Sequence, residues 1–253
     1  MNYIWTHNYS IFINEESRGK VSNNIIRESF VGNESNHIVN ALSTSIRVQD
    51  DSSVTIIDNQ IVNSKQNGIC IYEAGRVEIK QTEIDIVELH GILICRAKSI
   101  LIHSNTIKNC RQSSIMMFNY SNATVEYNTI FNIGKYAFCI ICQSFMEAKE
   151  NVIDNVKCFV KLNYKGGGDF INNHVSNCNN QLDAETSSFY FLSGNGNFLN
   201  VTNNKSRFGD SIHIDEYKSE IESEKNQMCL KCKKNKRDCI LFNLQRMHTR
   251  CSR

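Results

Sequence analysis

Proline is missing altogether from this chain of 253 residues. Central strands exclude proline because it cannot donate to a hydrogen-bond ladder, so its absence fits a chain built of such strands. An A/T-rich genome, which the abundance of Asn, Ile and Lys suggests, would have the same effect. An excess of either charge is also lacking, with 28 Lys and Arg against 26 Asp and Glu for a net +2. That removes any general electrostatic case for nucleic acid or membrane, although charge can still be local. No apolar run approaches the ~20 residues of a membrane-spanning helix. Met1 to Ser10 carry no basic segment and no apolar stretch, so they do not read as a signal peptide. The eleven cysteines are an odd number spread through apolar runs. They are expected as reduced thiols in a cytoplasmic or nuclear protein, not a secreted one. The Asn-x-Ser/Thr sequons are no more than so Asn-rich a chain produces by chance.

What the chain has is a beat. An isoleucine recurs every 23 residues at Ile61, Ile84, Ile107, Ile130 and Ile153, and the series continues at Val175 after 22. Two residues before each stand Asn59, Thr82, Asn105, Asn128, Asn151 and Asn173. A fixed period of this size means stacked units, each burying its apolar face against its neighbours.

Aligned on that period, the chain separates into columns. One reads Ile46, Ile69, Ile92, Ile115, Phe138, and two residues on stand Val48, Ile71, Ile94, Met117, Ile140. A second pair runs Val54, Val77, Ile100, Ala123, Met146 and Ile56, Ile79, Ile102, Val125, Ala148. Spacing of two within each pair is the strand period; helices would need i, i+3, i+4. Three short strands per repeat, starting near Ser45, Val54 and Gln60, describe one coil of a parallel β-helix. The crossover preference makes it right-handed. The expected fold is therefore all-β: a single-stranded, right-handed parallel β-helix of the pectate-lyase kind with about eight coils, near 40 Å long at the spacing of neighbouring strands.

Small residues before the first strand, Ser45, Gly68, Gly91, Ser114 and Ala137, are expected to serve a tight turn. The asparagines before the beat are expected to form a ladder of amides, with a second at Asn63, Asn109, Asn132, Asn155 and Asn177. Two insertions interrupt the period. Counting back from Ile61 the match is Ile25, which places an insertion within 30–42. Counting forward from Val175 it is Ser206, with an insertion around 181–187. The domains expected are residues 1–214 for the β-helix, 215–228 for a charged linker and 229–253 for a Cys/His tail.

The segments "GICIYEAGRVEIKQTEI" and "GILICRAKSILIHSNTIKN" are the clearest copies of the repeat. They resemble the right-handed β-helix repeat, over residues 10–214. Among intracellular proteins the chain is similar to the β-helical F-box proteins and to the SHC SH2-domain-binding protein/nessun dorma group. That resemblance implies recognition of a protein partner, or of a glycan, through the β-helix surface. Secreted pectinases and alginate-modifying enzymes share the repeat, so fold alone does not settle function.

Two places on the surface carry chemistry. Asp50, Glu73 and Arg96 fall one coil apart after the first strand, and neighbouring carboxylates with a basic residue are what a polysaccharide lyase or glycoside hydrolase would use. An ordinary solvated edge of stacked opposite charges explains them equally. Lys80, His103, Glu126 and Lys149 alternate in charge on the second strand, as ion pairs across strands would. The outward positions of the first strand are apolar in four successive coils: Cys70 and Tyr72, Leu93 and Cys95, Met116 and Phe118, Cys139 and Ile141. Such a strip is covered either by another segment of the chain or by a partner, for which Tyr72, Leu93, Met116, Phe118 and Ile141 are the contact residues.

In the tail, Cys229, Cys232, His248 and Cys251, with Cys239 to spare, have finger-like spacing for a tetrahedral zinc ion. So short a segment cannot build a core, and a metal would supply its folding free energy. The alternative is a disordered cysteine-bearing tail. The sequence thus points to a non-enzymatic binding or scaffold module with a zinc-binding tail, and second to a carbohydrate-active enzyme.

Overall fold

The computed structural model describes residues 2–4, 9–27 and 44–178, with side chains chiefly over 11–24 and 44–178, and short strand segments between 190 and 250. Every described element is a strand. Among the described residues no helix is long and apolar enough to cross a membrane.

From Thr44 to Cys178 the strands come in threes. The first coil of this run is Thr44–Gln49, Ser53–Ile57 and Gln60–Ser64. The next is Ile69–Tyr72, Arg76–Lys80 and Glu83–Val87. Each strand pairs in parallel with its equivalent one coil on, so Ile69 faces Ile46 and Ile92, and Val77 faces Val54 and Ile100. The beat itself is a register line: Ile61, Ile84, Ile107, Ile130, Ile153 and Val175 are successive partners, all buried. Six coils are described throughout in this way. Strands Tyr9–Ile13, Arg18–Ser22 and Asn24–Arg27 make a further coil on the N-terminal side. Strands Tyr190–Ser193, Phe198–Thr202 and Lys205–Ser206 pair in parallel with the last of the six coils on the C-terminal side, and Leu199 among them is buried.

The three strand positions generate three sheet faces around one interior. Two strands, Thr129–Ile141 and Val152–Asn163, run unbroken from the third position of one coil into the first position of the next. The interior holds the columns read from the sequence, with Phe138, Phe159 and Phe170 clustered in it; the ring centroids of Phe138 and Phe159 are 5.6 Å apart.

The inner asparagine ladder is real and directional. Asn105, Asn128 and Asn151 each donate Nδ2 to the Oδ1 of the next coil's asparagine at 2.9–3.0 Å. The same Oδ1 atoms accept from the backbone nitrogens of Asn105 and Asn128 at 2.9 Å. These corner groups lie out of reach of water, where an unmade hydrogen bond costs about 1–3 kcal/mol.

Two expectations need correction. The partner of Ile61 is Ile26, with Ile25 opposite Gln60. The sequence offers both isoleucines. What decides is Asn24, whose Nδ2 donates to Asn59 Oδ1 at 3.0 Å and so belongs in the ladder two residues before the beat. The small residues before the first strand, by contrast, answer to crowding more than to turn geometry. A Cβ on Gly91 would stand 2.7 Å from both Ile107 Cγ2 and the Ser114 carbonyl oxygen, and one on Gly68 would stand 2.7 Å from Ile84 Cγ2 and the Gly91 carbonyl oxygen. The third strand's beat isoleucine presses on this column.

The left-handed residues lie at the corners instead. Asn63, Asn109, Asn132, Asn155 and Asn177 all have φ between 50° and 60°. Asparagine tolerates this region better than other residues with a Cβ. Amide-to-amide contact runs from Asn155 through Asn132 to Asn109, as in Asn155 Nδ2 to Asn132 Oδ1 at 2.8 Å, while Asn109 and Asn177 donate to Asp85 and Asp154 of the neighbouring coil. Ile86 occupies the same corner with φ 54° and is 48% exposed.

Candidate functional site

Both insertions emerge at one corner, between a third strand and the following first strand. One separates Arg27 from Thr44 and the other separates Cys178 from Tyr190. Residues 28–43 and 179–189 themselves lie outside the described residues.

On that face the register is continuous. Arg47, Cys70, Leu93, Met116, Cys139 and Lys161 form one column of successive partners. The other column includes Gln49, Tyr72, Cys95, Phe118, Ile141 and Asn163. Tyr72, Leu93, Met116, Phe118 and Ile141 are each partly exposed. Cys70, Cys95 and Cys139 are buried between these larger neighbours, at 3%, 1% and 6% exposure. Burial pushes the Cys70 and Cys139 thiols up to about 11 and raises Cys95 as well, so all three stay protonated and act as small apolar groups. The strip is thus continuous, apolar and four coils high. Its two charged neighbours in the column, Arg47 and Lys161, are both cations.

Each cation is anchored to an aromatic ring. The Arg47 guanidinium lies 5.8 Å from the Tyr72 ring centre and its Nε donates to Gln49 Oε1 at 2.7 Å. The Arg96 guanidinium lies 5.9 Å from the same ring and donates to the Tyr72 hydroxyl at 3.1 Å. Lys161 Nζ sits 5.0 Å above the Tyr136 ring.

Asp50, Glu73 and Arg96 do come together. Arg96 Nη1 meets Glu73 Oε1 at 2.6 Å, a hydrogen bond that raises the Arg96 pKa. They line an open cleft of ≈ 670 Å³ with Glu15, Glu16 and Asp51. The last three were not singled out from the sequence, because Glu15 and Glu16 precede the first insertion, where the period is lost. Asp50, Asp51, Glu73 and Arg96 all sit on left-handed corner backbone, with φ between 52° and 56° for all but Glu73 at 50°. Five carboxylates stand against one guanidinium here. Among the described residues no group of three or more His, Cys, Asp or Glu is arranged to hold a metal ion.

Charged side chains on the second-strand face pair mainly within a strand, two residues apart, and not along the Lys80, His103, Glu126, Lys149 column as expected. Glu78 bridges Lys80 at 2.8 Å and His103 at 3.1 Å, and its carboxyl is held below the usual range chiefly by the Lys80 bond. Lys149 pairs with Glu147. The exposed corner tyrosines Tyr120, Tyr127 and Tyr164 escaped the sequence reading; each stands at positive φ, a place no apolar periodicity marks. In the tail, the side chains of Cys229, Cys232, Cys239, His248 and Cys251 lie outside the described residues, so the zinc set remains an expectation.

Stacked parallel coils around one apolar interior, with amide ladders at the corners, define a β-solenoid. The chain belongs to the right-handed beta helix region family, which it matches over residues 2–166 and 44–205. No curated protein matches the chain.

Proposed function

We propose that this chain is a non-enzymatic binding or scaffold module that engages a protein partner through the first-strand face of its solenoid. The observation that supports this reading is the strip of Tyr72, Leu93, Met116, Phe118 and Ile141, partly exposed and contiguous over four coils. Outward positions of the second-strand face are mostly polar at the same level of the solenoid, Glu78, Lys80, His103, Thr124, Glu126, Glu147 and Lys149 with Leu101 the exception. Interfaces concentrate aromatic and methionine side chains in this manner and seclude them from water on binding. A cytoplasmic or nuclear setting suits the many protonated thiols, and the Cys/His tail would add a zinc ion beside the binding domain. The test is crosslinked capture from native cells, comparing wild type with Phe118→Asp and with Glu126→Gln as a control on another face. Proteins lost with Phe118→Asp and kept with the control support the reading; identical capture by all three forms overturns it.

A second reading rests on the acidic cleft. Asp50 and Glu73 on adjacent coils, with Arg96 beside them, have the composition of a polysaccharide lyase or glycoside hydrolase site. Wild-type activity on a polysaccharide panel, lost in Glu73→Ala, would establish it in place of the first.

A further inference from the structure

We propose that copies of this chain associate head to tail, the basic C-terminal segment 229–253 of one copy docking on the acidic corner cleft of the next. This contact lies outside the apolar strip and is independent of the partner-binding reading.

The charges of the chain are segregated. Residues 229–253 hold eight Lys and Arg against one acid, Asp238, a net +7. The whole chain is +2, so residues 1–228 are left at −5. Five of their carboxylates, Glu15, Glu16, Asp50, Asp51 and Glu73, line the one cleft. Among the described residues Glu73 alone of the five has a cation partner, Arg96. The insertions 28–43 and 179–189 contain no Lys or Arg, so neither has one to offer. Like charges gathered in this way repel one another, and a cationic partner relieves the repulsion.

Topology sets the two charges at the same corner of opposite ends. The five carboxylates lie at the corner that follows the first strand, in the N-terminal coils. Strand Gln227–Cys232 continues the column of first strands at the other end. Its Cys232 pairs with Ile214, and through Leu192 and Leu162 it stands in line with Val48. Lys233 and Lys234 follow Cys232 in the chain as Gln49 and Asp50 follow Val48. Two copies stacked end to end in the same rotational setting therefore bring the basic segment of one onto the carboxylates of the other.

Distance makes the contact one between molecules. Eight pairings separate Thr44–Gln49 from Gln227–Cys232. That is about 38 Å at the spacing of paired strands. The seven residues after Cys232 are held at both ends, because Leu230 pairs with Ile240 on the returning antiparallel strand. A segment so anchored reaches out about 12 Å. Thr249–Arg250 is tied in turn to Glu220–Glu224. The basic segment is thus too far from the cleft of its own molecule to neutralise it. A contact between two different patches leaves one of each free, so the assembly is open-ended.

Sedimentation equilibrium of the full chain tests this. At low salt the weight-average mass is expected to rise with concentration past that of a dimer. It should return to the monomer's at ~1 M salt, where the screening length is about 3 Å. Glu15→Lys with Glu16→Lys, and separately Lys233→Glu with Lys234→Glu, should each weaken association ~10-fold or more. An equimolar mixture of these two variants should associate again, since each supplies the charge that the other has lost, and that recovery shows both to be folded. Phe118→Asp should leave the association unchanged, which separates this contact from the partner-binding face. A monomer at low salt, a closed dimer of fixed mass, association that survives high salt, a mixture that stays monomeric, or loss of association with Phe118→Asp overturns the inference.

Discussion

The backbone nitrogen of Asn59 reaches the Thr82 hydroxyl at 3.4 Å, whereas that of Asn105 reaches Asn128 Oδ1 at 2.9 Å. Thr82 is where the inner amide ladder changes chemistry. Its hydroxyl takes the Lys80 carbonyl and accepts weakly from Asn59, but has no second donor for the next coil. Thr82→Asn should continue the ladder, donating to Asn105 Oδ1 and to the Lys80 carbonyl as Asn128 does to Glu126. A gain of about 1 kcal/mol is expected, read as a raised urea midpoint. An unchanged or lowered midpoint would show that the corner cannot admit the amide.

Ile86 is a β-branched residue in left-handed backbone, flanked along its corner by Asn63 and Asn109 in the same conformation. Such a residue stores on the order of 1–2 kcal/mol of strain. Ile86→Asn should recover about 1 kcal/mol and allow amide contact along the corner. Chemical denaturation of the two forms checks this, and loss of stability would mean that the exposed side chain packs favourably.

Gly91→Ala would drive a methyl against Ile107 and the Ser114 carbonyl. Overpacking of this kind costs typically ~1–3 kcal/mol. A fall of that size in unfolding free energy is expected. Ile107→Val in the same chain should restore part of it by removing a methyl from the crowded side, whereas turn geometry as the cause would leave the deficit unrelieved.

His90 carries a pH signature. Burial, assisted by the nearby Lys135 charge, lowers its pKa to about 4. Its Nδ1 is buried without a partner. Between about 4 and the ordinary histidine value the unfolded chain binds the extra proton, so stability rises with pH across that window. Acidification from pH 6.5 to 4 should therefore remove up to about 3 kcal/mol. In His90→Gln that slope should flatten, while the loss below pH 4.5 from paired carboxylates such as Glu78 remains. Equal slopes in the two proteins would rule out His90 as the source.

The coils were legible because a strand's two faces differ at every second residue. Ile69 and Ile71 repeat as Ile92 and Ile94, and their register follows without further information. Ile25 and Ile26 show the limit: two adjacent apolar residues leave the phase open by one, and only the Asn24–Asn59 bond fixes it. Backbone conformation left weaker marks. The asparagines from Asn63 to Asn177 read as an amide ladder and not as a left-handed corner, and Ile86, Tyr120, Tyr127 and Tyr164 reach the same region with side chains that sequence reading assigns to strands or cores. The outward strip was readable as apolar, and its cysteines as part of it. That Leu93, Phe118 and their neighbours shelter those thiols depends on side-chain size across three coils, which no single repeat contains.

The ring cluster of Phe138, Phe159 and Phe170 has a kinetic consequence. Almost every pairing in this fold closes a loop of one period, so no coil has an entropic advantage over another as a place to begin. Side-chain burial must break that tie, and the three rings concentrate it in two adjacent coils. Folding is then expected to start there and to zip outward in both directions. In stopped-flow refolding, Phe159→Leu should slow the folding rate in proportion to its stability loss, while Val54→Ala, five coils away, should act mainly on unfolding.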